Sequence, residues 1–174
     1  MIISVEEIKK ELNFPNWSDA KIKRKLKAIE QAIRSFTNNN FQSRGYRKTA
    51  NIVGGLFLVD SDVPFNVGDT VQVSESYLNK GLFTVEVVES AVFSVEEDVT
   101  DEKEVLVTKI EYPEDVVDCC VNLMDWELNH RDKVGIKSET LSRHSVTYED
   151  SSTMVHGYPS SLLGGLKPYK KARC

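Results

Sequence analysis

The hydrophobic period of this chain changes twice, and any fold it adopts has to respect both changes. Up to about residue 50 the apolar residues recur at helical spacing. Ile22, Leu26, Ile29, Ile33 and Phe36 step by four and three and draw one stripe along a helix. Over residues 51–111 the chain is rich in Val, Phe and Thr, with turn signals at short intervals. There the valines of Thr70-Val71-Gln72-Val73-Ser74 alternate with polar residues, the period of a strand covered on one face. Helical spacing returns at Tyr112-Pro113-Glu114-Asp115.

Local signals place the elements. Ser4 and Glu7 have the spacing of a capping box, opening a short helix over residues 4–12 that Asn13-Phe14-Pro15-Asn16 stops. Ser18 or Asp19 starts the longer helix, which ends at the Asn38-Asn39-Asn40 run. Ala28 and Ala32 flank its apolar stripe and leave room for a close neighbour. Lys21, Lys23, Arg24, Lys25 and Lys27 give its first half a basic, solvated face. Pro113 suits the first turn of a third helix, with Glu114 and Asp115 complementing its dipole. Val116, Val117, Cys120, Leu123, Met124 and Leu128, with Trp126 nearby, spread over more than one face, as in a central helix. Between the helices the spacing predicts five strands, Ile52–Val59, Thr70–Ser74, Leu82–Val88, Ala91–Val95 and Glu104–Glu111. The expected fold class is therefore α+β. A small helical bundle over 1–50 and 112–174, with three main helices and a short C-terminal helix or strand, carries an inserted five-stranded β-barrel-like module over 51–111.

Composition and motifs narrow the chemistry. With 40% hydrophobic residues, 28% charged and a net charge of -5, the chain has the balance of a globular protein and no bulk affinity for nucleic acid. No apolar run approaches the roughly 20 residues that cross a bilayer. The start, Met1-Ile2-Ile3-Ser4-Val5-Glu6-Glu7, lacks the features of a signal peptide, so a cytosolic setting is expected. The three cysteines, Cys119, Cys120 and Cys174, fit free thiols. His130, His144 and His156 sit in separate segments without ligand spacing, and no phosphate-binding glycine loop or nucleophile elbow occurs. No catalytic residue, metal or cofactor is expected.

Two features suit binding. The tail from Lys167 to Arg173 is basic with one aromatic, Tyr169, and can meet phosphates or an acidic groove. The second half of the β module is acidic, with Glu86, Glu89, Glu96, Glu97, Asp98, Asp101, Glu102 and Glu104. Phosphate is repelled there, which favours a protein contact over an oligonucleotide.

The two ends of the chain, read in order, carry a resemblance. The capped helix Val5–Leu12 and the amphipathic helix to Phe36 come first, then Tyr112-Pro113-Glu114-Asp115-Val116-Val117 opening a helix with Trp126. The most specific stretch is Gly135-Ile136-Lys137-Ser138-Glu139-Thr140-Leu141, then Ser145-Val146-Thr147-Tyr148, Gly157-Tyr158-Pro159, Leu162-Leu163 and Leu166-Lys167-Pro168-Tyr169-Lys170-Lys171. Over residues 1–50 and 112–174 this progression resembles the gp6-like head–tail connector proteins of siphophages, also called adaptor or head-completion proteins. The resemblance implies a homo-oligomeric ring of about a dozen copies beneath the portal protein. It also implies a virion location at the head–tail junction, after assembly in the host cytoplasm, and no catalytic role. Such a ring extends the DNA channel, without sequence-specific binding or a membrane, and docks a stopper or tail-completion protein. The C-terminal segment is implied to engage the portal, which singles out Leu162, Leu163, Leu166, Lys167, Tyr169, Lys170, Lys171 and Arg173. Many relatives join the helices by a short loop, so the β module is a departure. A stopper or tail-completion protein, often a β-barrel, is the nearest alternative; a small nucleic-acid-binding module is the other.

Overall fold

The computed structural model describes residues 1–131, 138–141, 144–147 and 154–172. The chain forms helices α1 (Val5–Glu11), α2 (Asp19–Thr37) and α3 (Glu114–Asn129) and strands β1 (Gln42–Val53), β2 (Leu56–Val59), β3 (Thr70–Ser74), β4 (Gly81–Glu89), β5 (Val92–Val95) and β6 (Glu102–Ile110). Among the described residues, four short strands follow α3, namely β7 (Ser138–Leu141), β8 (His144–Thr147), β9 (Met154–Val155) and β10 (Tyr158–Pro159), and a 3-10 helix spans Gly164–Tyr169. Two compact units result. Met1 with Asn40–Tyr112 makes one, and Ile2–Asn39 with Pro113–Cys174 makes the other.

Strands β1 to β6 close an antiparallel barrel in the order β1-β2-β5-β4-β3-β6. Strands β3, β4 and β5 are successive neighbours, and β6 crosses back to lie beside β3, which is a Greek key. β1 then pairs with both β6 and β2, so no edge is left unpaired. Val71 and Val73 point inward as their alternation predicts, joined by Ala50, Ile52, Phe83, Val85, Val105 and Val107. Phe57 and Phe93 stack at 4.6 Å between centroids, and Phe65 meets Phe93 edge-on at 5.3 Å. The chain enters and leaves the barrel at neighbouring points. Gln42 pairs with Ile110, and the Glu111 amide donates to the Phe41 carbonyl at 2.9 Å.

The barrel corrects the expected fold class. Strands dominate the chain, and a closed six-stranded barrel replaces the five-stranded barrel-like insert in a helical bundle. Two physical causes account for this. The segment Ile52–Val59, expected as one strand, is a hairpin. Gly54 and Gly55 turn it at φ +59° and +83°, the pair of positive values that a type I′ turn needs. Residues 42–50, expected within the helical part, are the first half of β1, so the barrel unit begins at Asn40 rather than at residue 51. Its opening Gln-Ser-Arg-Gly-Tyr-Arg-Lys carries no apolar alternation. It joins β6 across an irregularity between Gln42 and Arg47.

In the other unit the capping box at Ser4 is complete. Ser4 Oγ accepts from the Glu7 amide at 3.1 Å, and the Glu7 carboxylate accepts from the Ser4 amide at 3.0 Å. Ser18 caps α2, and Asn38 ends it in the left-handed region at φ 48°. Ile22, Leu26, Ile29 and Ile33 are buried, each contributing about 2 kcal/mol of burial energy. Pro113 is the N-cap of α3, whose buried residues, Val116, Cys119, Cys120, Leu123, Met124 and Glu127, recur at steps of three and one and so draw one face rather than the two-sided sector expected, with Val117 and Leu128 only half-buried. Leu163 and Leu166 are buried too, where the 3-10 helix packs on α2 and α3.

Candidate interaction surfaces

The C-terminal segment, expected as a portal-contacting tail, is built into its unit. Leu163 and Leu166 are core residues, and Leu162 is half-buried with its carbonyl 3.4 Å from Cys119 Sγ. The Tyr169 hydroxyl donates to the Asp115 carboxylate at 2.6 and 2.7 Å, and that bond raises its pKa. The Lys170 ammonium lies 3.9 Å from the Phe36 ring centroid. Backbone bonds finish the seam. The Lys171 amide donates to the Thr37 carbonyl at 2.8 Å, and the Asn38 and Asn39 side-chain amides donate to the carbonyls of Lys171, Ala172 and Tyr169. These are the carbonyl and side-chain groups of the end of α2, where a helix leaves acceptors unsatisfied. Lys167, Lys170 and Lys171 are exposed. Arg173 lies outside the described residues.

A buried carboxylate holds the β9–β10 hairpin near α3. Glu127, almost fully buried, accepts from Lys25 Nζ at 2.7 Å and lies 3.7 Å from Arg131. The Tyr158 hydroxyl is also hydrogen bonded to Glu127, and burial first, then that carboxylate's charge, pushes the phenol up. The Trp126 ring meets Tyr158 edge-on at 5.6 Å, and Arg131 reaches the Gly157 carbonyl at 2.8 Å. Every partner is a structural one. Cys119 and Cys120, the buried thiols, are raised by burial, the former to about 11, which leaves both unreactive as nucleophiles. An open groove of about 500 Å³ lies between Leu12–Trp17 and the Asp125–Asn129 turn of α3. Among the described residues, no group of three His, Cys, Asp or Glu side chains is placed to hold a metal, and no helix is long and apolar enough to cross a membrane.

The barrel carries two exposed features. At the end formed by the β1–β2 turn and the loops 75–80 and 96–101, the Glu102 carboxylate accepts from Ser76 Oγ, the Tyr77 and Leu78 amides and Asn79 Nδ2. Asn79 in turn bridges to the Thr100 backbone through both ends of its amide at 2.8 Å, and Asp101 accepts from the Gly54 amide at 2.7 Å. These bonds hold the Glu102 pKa down to about 2 and hold out Tyr77, 100% exposed, beside Leu78 at 64%. An aromatic on an ordered loop loses little freedom on contact.

The second feature is the outer face of β1, β2, β5 and β4. Register aligns Val53, Leu56, Ser94 and Val87 in one row across four strands. The next row is Asn51, Leu58, Val92 and Glu89. Val53, Leu56, Leu58 and Val87 are 39–51% exposed, so an apolar patch lies open on the barrel wall. Glu86, which accepts from Ser94 Oγ at 3.5 Å, and Glu89 lie on it. The acidic character expected of this half of the module is thus attached to an apolar surface.

The sequence signal for the patch lies in β2, Leu-Phe-Leu-Val, where burial alternates strictly while every residue is apolar. A strand with one wet face has polar residues at alternate positions; one apolar on both faces asks for cover on both. No model of a known protein family matches the chain, and no curated protein matches it.

Proposed function

We propose that this chain is a non-enzymatic structural adaptor of the head–tail junction of a tailed bacteriophage. In this reading it forms a ring under the portal, extends the DNA channel and docks the stopper or tail proteins. The observation that carries the reading is the ordered progression through the last forty residues, from Gly135 to Lys171. Its described parts coincide with discrete elements. Ser138–Leu141 is β7, Ser145-Val146-Thr147 lies in β8, Tyr158-Pro159 is β10, and Leu166 to Tyr169 lies in the 3-10 helix. A signature that follows elements in order constrains a fold more than the same residues scattered. The docked tail refines the expected portal contact. Leu163 and Leu166 support the segment from within, Lys170 lies over the Phe36 ring, and the exposed side chains of Lys167 and Lys171 are the ones offered to a partner.

The test is electron microscopy of the chain mixed with its cognate portal. A cyclic ring stacked on the portal is the expected result. A persistent monomer that ignores the portal overturns the reading. One observation favours a second reading, the stopper or tail-completion protein, because the closed six-stranded barrel has the architecture associated with that class. In the same micrographs a stopper binds only after an adaptor ring is supplied, which separates the two.

A further inference from the structure

We infer that the apolar outer face of β1, β2, β5 and β4 seats on the exposed face of α2 of a second copy of this chain, head to tail. The inference takes from the adaptor reading only that copies join in a ring. The closed barrel has no free edge, so nothing can join it by adding a strand, and a partner must lie against its wall. The wall offers Val53, Leu56, Leu58 and Val87 with Glu86 and Glu89 among them. Two such faces brought together by a two-fold axis would gather Glu86 and Glu89 of both copies into one apolar interface, and like charges in an interface are costly. The occupant is therefore a different surface, apolar and basic.

That description fits α2. Ala20, Arg24, Lys27, Ala28 and Gln31 are exposed and recur at steps of three and four, so they share one face of the helix. The alanines let a sheet approach closely. The aliphatic stems of Arg24 and Lys27 cover apolar surface while their charged heads stay at its border, where Glu86 and Glu89 supply the opposite sign. A contact between two different faces of one chain is heterologous, the kind that closes rings.

Charge reversal tests this directly, because all four charged positions are exposed and their replacement leaves both cores intact. One variant carries Glu86→Lys with Glu89→Lys, a second carries Arg24→Glu with Lys27→Glu, and a third carries all four. Assembly is read twice, by sedimentation of the chain alone over a concentration series and by electron microscopy on the cognate portal. Each two-site variant is expected to weaken self-association by about tenfold or more. The four-site variant and an equimolar mixture of the two-site variants are expected to recover it. Rings unaffected by either reversal overturn the inference and leave the adaptor reading standing. A barrel reversal that the four-site variant does not restore, with the α2 variant associating as wild type does, means a wall-to-wall dimer and overturns it as well. Wild-type chains that never associate, with or without portal, overturn both. Circular dichroism of each variant, expected to match wild type, shows that a loss is not unfolding.

Discussion

Replacing Glu102 by glutamine removes the charge that gathers four donors at the barrel end and leaves the strands untouched. The loop 75–80 is then expected to loosen while the barrel stays closed. Faster amide exchange confined to Ser76–Asn79 is the expected result, and unchanged exchange there counts against the carboxylate as organiser. Titration gives an independent check. The folded pKa, about 2, lies below the ordinary 4.5, so the contribution to loop order is full above pH 4.5 and is lost as pH falls through about 2. Tyr77 and Leu78 amide resonances are expected to shift with an apparent pKa near 2, and a midpoint near 4.5 would contradict the geometry. Glu127 is the opposite case, a carboxylate with almost no solvent. Glu127→Ala leaves the Lys25 ammonium and the Tyr158 hydroxyl short of their acceptor, at an expected cost of about 2–3 kcal/mol in urea unfolding. Lys25 keeps some contact with water, which holds the figure below that of a fully buried pair.

At the scale of elements, the 3-10 helix is the piece whose role changes most between sequence and structure. The sequence reading assigns its leucines to a portal contact, but Leu163 and Leu166 fill the space beside α2 and α3. Leu166→Ala is expected to cost about 2–5 kcal/mol, read as a lower denaturation midpoint. A cost below about 1 kcal/mol would contradict the place of Leu166 in the core. The helices were legible because each signal is local. Ser4 with Glu7, Ser18, and the Ile22-to-Ile33 stripe all act within a few residues. The strands from Thr70 to Ile110 were legible to within two residues of their ends, for the same reason. β1 was not, because its polar half is held by pairing with β6, some sixty residues away in sequence, and such pairing leaves no local period. The Gly54-Gly55 pair lay inside one expected strand, and only the register shows that it divides that apolar run into two. Of the candidate surface, its acidic border was legible and its apolar rows were not, since Val53 and Val87 become neighbours only through β2 and β5.

The whole molecule interrupts one unit with another. Because Phe41 and Glu111 are hydrogen bonded to each other, the barrel is an insertion with adjacent ends, the arrangement that lets domains be added or removed. Residues 40–112 expressed alone are expected to unfold cooperatively with the signature of a β protein. A chain in which a short Gly-Ser link replaces 41–111 is expected to keep cooperative helical unfolding. Failure of either to fold would mean that the units depend on one another for stability. The interruption also sets an order of events in time. α2 and α3 share a core but are separated by the whole barrel segment, so an unfolded insert leaves them at the ends of a long flexible loop. Once the first and last strands zip together, that loop shrinks to the width of a strand pair, and the loop-closure part of the entropy opposing the helical core falls. On a ribosome, α2 therefore waits as an unpartnered amphipathic helix until the barrel closes, and the rate of barrel closure governs how long its apolar stripe is open to aggregation or to chaperones.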